Sequence, residues 1–200
     1  FGNVNIEFKP WLSKEDFKIL KDFGVTAITT GIESLSPKIV QLLSKGHQLY
    51  HSICFLKWCK LYQIRPAWLY LVDVPGESAL SYEEGLQTGR KLYHLPAPID
   101  IGSVQITRFN SYYKEKEKWG FKNLQPETVW GFTPWADQLA FQFTYNKEAS
   151  NELLEKRYQL IQEFSSEWMR PSTNKSLRFL NDNSICDTRF GISKIITITE

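Results

Sequence analysis

The order in which short β-rich runs alternate with helix-length segments constrains this chain more than any other feature. Val4, Ile6 and Phe8 alternate with polar residues, which predicts a strand ending near Pro10. Ser13, with Asp16 three residues later, forms a capping-box pattern. Phe17, Leu20 and Phe23 give the helix that follows an apolar face, and Gly24 stops it. Residues 25–30 predict a short buried strand. Ser36-Pro37 opens a second helix, because proline suits the first helical position, and Lys45-Gly46 ends it. Leu49, Ile53, Leu56 and Cys59 lie on one stripe of a helix running to about Tyr62. Residues 66–74 predict a strand that Pro75-Gly76 breaks. Ser81 and Glu84 suggest a second capping box for a helix to about Tyr93. Pro96 and Pro98 mark a loop before a strand over residues 99–106. Strands joined by helices imply a parallel sheet with helices packed outside it and right-handed crossovers. The expected fold class is therefore α/β.

The pattern changes after Phe109. Residues 110–135 are rich in Tyr, Trp, Lys and Pro with little periodicity, and residues 135–145 fit either a helix or a strand. Residues 148–169 predict a long helix with Leu153, Leu154, Tyr158, Ile161, Phe164 and Trp168 on its apolar side. Residues 176–180 and 184–190 flank Asn181-Asp182-Asn183, a hairpin turn by composition. The chain divides on this reading into residues 1–110 and an α+β extension, 111–200, with a long helix and a β-hairpin.

Composition narrows the classes. The 200 residues are 42% hydrophobic and 14% aromatic, enough for a core in one domain with an appendage. A net charge of +2, with both signs interspersed as in Lys114-Glu115-Lys116-Glu117-Lys118, argues against a nucleic-acid surface. No apolar run approaches a membrane span, and no basic-then-apolar leader opens the chain. The three cysteines, Cys54, Cys59 and Cys186, are too few and too odd for a secreted disulfide scaffold, so the expected location is the cytoplasm. His47, His51 and His94 lack the spacing of a zinc site. A start at Phe1 suits an excised piece.

Ligands of parallel α/β folds sit at the C-terminal ends of strands. Three segments follow predicted strands: Thr30-Gly31-Ile32-Glu33-Ser34, Asp73-Val74-Pro75-Gly76-Glu77 and Thr107-Arg108-Phe109-Asn110-Ser111-Tyr112. Gly31 lets backbone approach a ligand. Glu33 and Ser34 suit hydroxyls or an amine, Pro75-Gly76 exposes peptide groups, and Arg108 offers a planar fork for a carboxylate. Taken singly, each has an ordinary structural use: a turn, a helix entry, an ion pair. Their recurrence at successive strand ends raises the functional reading above these.

These residues, with Leu42-Leu43-Ser44-Lys45-Gly46, Ile64-Arg65-Pro66-Ala67-Trp68, Arg108-Phe109-Asn110-Ser111-Tyr112-Tyr113 and Cys186-Asp187-Thr188-Arg189, resemble radical S-adenosylmethionine (SAM) enzymes. The resemblance is to the cobalamin-dependent members that modify ribosomally made peptides, and it runs from about Ile6 to Arg189. It implies the later part of a partial (β/α)6, TIM-like barrel with parallel strands. It implies that Glu33 and Ser34 contact the ribose and methionine end of SAM, that Val74, Pro75 and Gly76 border the adenine, and that Arg108 lies near SAM or peptide. The full-length parent would use SAM, a 4Fe–4S cluster and possibly cobalamin to generate a 5′-deoxyadenosyl radical and modify or C-methylate a precursor peptide, its expected partner.

The departures from the family weigh as much. Its cluster hangs on a CxxxCxxC loop, and no such triplet occurs here. Cys54 and Cys59 would lie about 140° apart around a helix. This piece is therefore expected to have no metal site, to retain none of the cofactors tightly and to be inactive alone. The alternative is a non-catalytic module that binds a peptide or a partner, with Trp119, Phe121, Trp130, Phe132 and Trp135 lining a groove or filling the core of the extension. Substrate, catalytic residues, reaction outcome and oligomeric state are not encoded legibly.

Overall fold

A computed structural model describes residues 4–127, 136–146, 149–170 and 175–198. The expected alternation is present. Strand β1 (Val4–Glu7) leads to helix α1 (Lys14–Asp22), β2 (Val25–Thr29), α2 (Pro37–Leu42), α3 (Leu49–Tyr62), β3 (Arg65–Ala67), β4 (Leu69–Val72), α4 (Ala79–Leu92) and β5 (Asp100–Ser103). The strands form two parallel sheets, β1-β2-β3 and β4-β5. The single strand expected over 66–74 is split at buried Trp68, whose carbonyl accepts the Ile99 N–H at 2.9 Å. The split lets the chain leave β2 and take β5 as its neighbour.

Local chemistry explains the helix ends. Ser13 Oγ accepts from Asp16 N, and the Asp16 carboxylate accepts from Ser13 N at 2.8 Å. Phe17 is fully buried, edge-on to Phe55, but Phe23 is 81% exposed. Six residues turn a helix about 240° beyond one full turn, so Phe23 cannot share the face of Phe17. Helix α4 starts earlier than its sequence suggests. Its cap is Ser78, and Ser81 is the reciprocating residue. Glu84 takes no part in the cap and accepts from Ser36 Oγ at 2.9 Å, tying α4 to the entrance of α2.

Past β5 the chain changes partner again. Strand β6 (Ile106–Thr107) pairs antiparallel with β8 (Gln142–Asn146), which also pairs with β7 (Lys122–Pro126). Short helices α5 (Ser111–Lys114) and α6 (Ala136–Leu139) lie between. The region that looked aperiodic thus holds a three-stranded sheet with its own core of Ile106, Phe121 and Phe143. Trp130, Phe132 and Trp135 lie outside the described residues.

The long helix is α7 (Asn151–Glu163), which runs into a π-helical turn, Phe164–Trp168. Its buried side is Leu153, Leu160, Phe164 and Trp168, while Leu154 and Tyr158 are exposed. These four join Trp68, Tyr70, Leu86 and Tyr93 in the main core, on the helical side of the parallel sheets. A Cβ at Gly89 would stand 2.4 Å from the Phe164 ring, so glycine there permits the α4–α7 approach. Arg90 grips Glu163 with two bonds of 2.7 and 2.6 Å, and Tyr93 donates to the same carboxylate.

The predicted hairpin is β9 (Leu177–Asn181) and β10 (Ser184–Asp187), extended by a third strand, β11 (Lys194–Thr197). Arg189 pins this sheet to the end of α4: it pairs with Asp187 at 2.6 Å and donates to the Lys91 carbonyl. No helix among the described residues is long and apolar enough to cross a membrane.

Candidate functional site

One face of the parallel strands carries the helices and the core. Among the described residues nothing packs on the other face. In the register of β1 with β2, β2 with β3 and β4 with β5, Glu7, Thr29, Ala67, Leu71 and Gly102 share this open face. With Glu33, Ser103 and Gln105 they line a cavity of about 610 Å³ at the strand ends. Sheets made of parallel strands are normally covered on both faces. An open face ending in polar groups leaves room for a further layer of structure or for a ligand.

Glu33 stands at the centre of the rim. Its backbone is left-handed, φ 64°, and its carbonyl accepts from Leu71 N at 2.7 Å, which carries the chain across from β2 to β4. Its side chain is 13% exposed. One carboxylate oxygen is ion-paired with Lys45. The other, Oε2, is buried and has no protein partner. A buried carboxylate oxygen without a donor carries an uncompensated desolvation cost, so it favours a ligand that brings an N–H or O–H. Gly31 lies against this pair: a Cβ would come within 3.2 Å of Glu33 Oε1. His47 beside it is buried, with Nε2 unpartnered, and burial holds its pKa below the usual histidine value against the pull of Glu33.

Ser34 faces the other way. It is buried, accepts from Ser36 N at 3.2 Å and approaches the Tyr70 hydroxyl at 3.5 Å. Burial pushes the Tyr70 phenol up to about 12.

The second segment forms a tight turn after β4. Val74 is buried with Ile39 and Val104, Pro75 is buried, and Gly76 is exposed. Glu77 holds the turn, accepting from Val74 N at 2.8 Å and from the Tyr82 hydroxyl at 2.6 Å. Asp73, left-handed at φ 60°, accepts from Ser103 Oγ at 2.7 Å and is ion-paired with Arg157 of α7. A second cavity of about 530 Å³ opens here between Asp73, Ser103, Gln105, Thr144, Tyr145 and Arg157. It shares Ser103 and Gln105 with the first.

The third segment divides. Tyr112 packs against the Ile39–Val74–Val104 cluster, and burial with the nearby Glu33 charge raises its pKa. Arg108 turns toward the antiparallel sheet. Its Nε donates to the Ala140 carbonyl at 2.8 Å, and its guanidinium lies over the Tyr113 and Phe143 rings. The structure thus brings Glu33, Asp73 and Tyr112 into one neighbourhood, with Ser34 beneath it and Arg108 in the extension.

Sequence reasoning missed three members of the rim. Lys45 was legible as a helix stop within the family-like segment 42–46 but not as a partner of Glu33, and Ser103 only as part of a strand. Arg157 reaches Asp73 from 84 residues away, a pairing with no local signal. The thiols do not gather: Cys54 and Cys59 lie on α3 and Cys186 on β10. Burial pushes Cys59 up to about 12, keeping it a thiol. No group of three His, Cys, Asp or Glu side chains suited to a metal occurs among the described residues.

Neither a family model nor a curated protein sequence matches the chain. Solved structures do. The archaeal Elp3 of Methanocaldococcus infernus, with an N-terminal deletion, superposes with a TM-score of 0.51 at 16% identity, over 87% of this chain and 35% of that one. The radical SAM methyltransferase TsrM of Kitasatospora setae, solved with tryptophan substrate and a SAM analog, gives 0.55 at 11% identity over 82% and 36%. The same enzyme with cobalamin and a [4Fe-4S] cluster gives 0.57 at 13% identity over 86% and 39%. The chain spans well under half of each of these proteins. At such identities the likeness is one of fold.

Proposed function

We propose that this chain is the later part of a radical SAM barrel and that the strand-end cavity around Glu33 is its SAM site. The observation that carries the reading is the unpartnered Glu33 Oε2 at the rim of an open parallel sheet. SAM brings an ammonium and ribose hydroxyls, the donors this oxygen lacks, and when bound supplies an activated sulfonium methyl or adenosyl group. Glu33 receives the donors, Lys45 holds the Glu33 carboxylate in place, and Thr29, Ala67 and Leu71 give the apolar wall. By the sequence resemblance, the backbone of the Val74–Gly76 turn would border the base. The fold likeness to TsrM supports the same assignment.

The cluster is a different matter. A 4Fe–4S centre needs converging thiolates, and this chain offers separated thiols on α3 and β10, so its residues do not fit that group. In this reading the cluster ligands, and with them the redox step, belong to polypeptide other than these residues, and the piece is inactive alone. Peptide modification, with methylation as its outcome, is the reaction class to which the sequence resemblance leads.

Calorimetric titration with SAM tests the site: weak, saturable binding is expected. Glu33→Gln should weaken it about tenfold or more, the usual loss for a charge-assisted hydrogen bond. Unchanged affinity in Glu33→Gln would remove the assignment. Anaerobic reconstitution with iron and sulfide should leave the purified chain without cluster absorbance.

A further inference from the structure

The β9–β10–β11 sheet is attached to the body through one corner, by Arg189 on the Lys91 carbonyl and Phe190 against the Tyr93 ring. Beyond that corner much of it is exposed among the described residues. Phe179 is 70% and Ile195 69% exposed, and Ile196 and Ile198 are exposed as well. Strand β11 is one edge of the sheet and β9 the other; β11 pairs with β10 and with no other strand among the described residues. Natural edge strands are blunted by charge, proline or a bulge. The β11 segment, Lys194-Ile195-Ile196-Thr197-Ile198, has one lysine, no proline and an unbroken register.

Its free hydrogen-bonding groups can be assigned. Ile198 N donates to Asn183 O at 2.8 Å, so alternate residues, Ile196 and Lys194, also face β10. Ile195 and Thr197 therefore direct both their N–H and C=O outward. Only an added strand satisfies them while covering the apolar side chains on both faces of β11.

We propose that the added strand is β11 of a second copy of this chain, antiparallel, with Ile196 on the twofold axis. In this register Ile195 meets Thr197 of the copy, so all four outward residues pair. One face then carries a continuous apolar row: Phe179, Ile185 and Ile196, followed by the same three residues of the copy in reverse. Each Lys194 lies opposite Ile198 of the copy, and the two lysines sit at opposite ends of the seam. Moving the axis to Ile195 would make the two Lys194 side chains diagonal neighbours, which is unfavourable. Such an interface is isologous and closes at two copies. The proposal stands apart from the SAM reading, because β11 does not border the strand-end rim.

Sedimentation of the full chain across a concentration series tests it, with a reversible monomer–dimer equilibrium expected. Thr197→Pro removes an outward N–H and leaves the bonds to β10 in place, so the fold should persist while the dimer dissociation constant rises about tenfold or more. Ile196→Cys should form a disulfide dimer under mild oxidation, since directly opposed residues of a non-hydrogen-bonded pair lie close enough. Ile198→Cys should not. A wild-type chain that stays monomeric at its highest soluble concentration overturns the proposal. So does a Thr197→Pro variant that dimerises as the wild type does, or a cross-link forming only at residue 198.

Discussion

His94, in the loop after α4, and Asp187, at the end of β10, influence each other electrostatically and respond to acid over different ranges. Burial first, then the positive charges of Lys60 and Arg189, lower His94 to about 4, so the fold holds a neutral imidazole. Its contribution to stability is complete above the unfolded value of about 6.5 and is lost as pH falls toward 4. Asp187 is lowered to about 2, mainly by its hydrogen bond from Arg189. Its contribution is present above the ordinary aspartate value and disappears as pH falls through 2. Chemical denaturation across pH should therefore show stability falling in two stages. His94→Gln should reduce the loss between pH 6.5 and 4, to which buried His47 also contributes, and leave the lower stage. At this scale the sequence was legible where chemistry is local, as in the Ser13–Asp16 box. It was opaque where the partner is distant, as with Arg157 on Asp73 or the orphaned oxygen of Glu33.

Among the elements, the α4–α7 contact shows how tightly the core is specified. Gly89→Ala gains helix propensity, roughly 0.5–1 kcal/mol, but its methyl would press into the Phe164 ring. Overpacking of this kind costs about 1–3 kcal/mol, so a net loss of stability is expected by urea denaturation. Substituting Phe164 with Leu in the same chain should recover part of that loss. Helix positions were readable from periodicity, but the choice of buried side was read partly wrongly. Leu160 is fully buried and Tyr158 is not, because residues 153, 160 and 164 lie within about 40° of one another around an α-helix, whereas residue 158 lies about 140° from 153. Strands β7 and β11 escaped notice, and β8 stayed open between helix and strand, because their pairing partners lie far along the chain or outside the predicted hairpin.

For the whole molecule, the parallel sheets and the extension share one core. Leu153, Leu160, Phe164 and Trp168 close over Trp68, Tyr70 and Tyr93, so the main apolar interior of the first 110 residues is completed by the extension. A chain ending before Ala149 exposes that surface, and circular dichroism should find it unfolded or aggregated. The sequence conveyed the α/β alternation and the rim segments after β2 and β4. It did not convey that Arg108 belongs to the extension, where aromatic rings and a carbonyl hold it.

The chain from Asp100 to Thr107 leaves one sheet and enters another without a loop between them, running alongside β4 and then against β8. Ser103 and Gln105 sit at that crossing and form walls of both cavities. A substitution at Ser103 or Gln105 therefore reshapes both chambers at once.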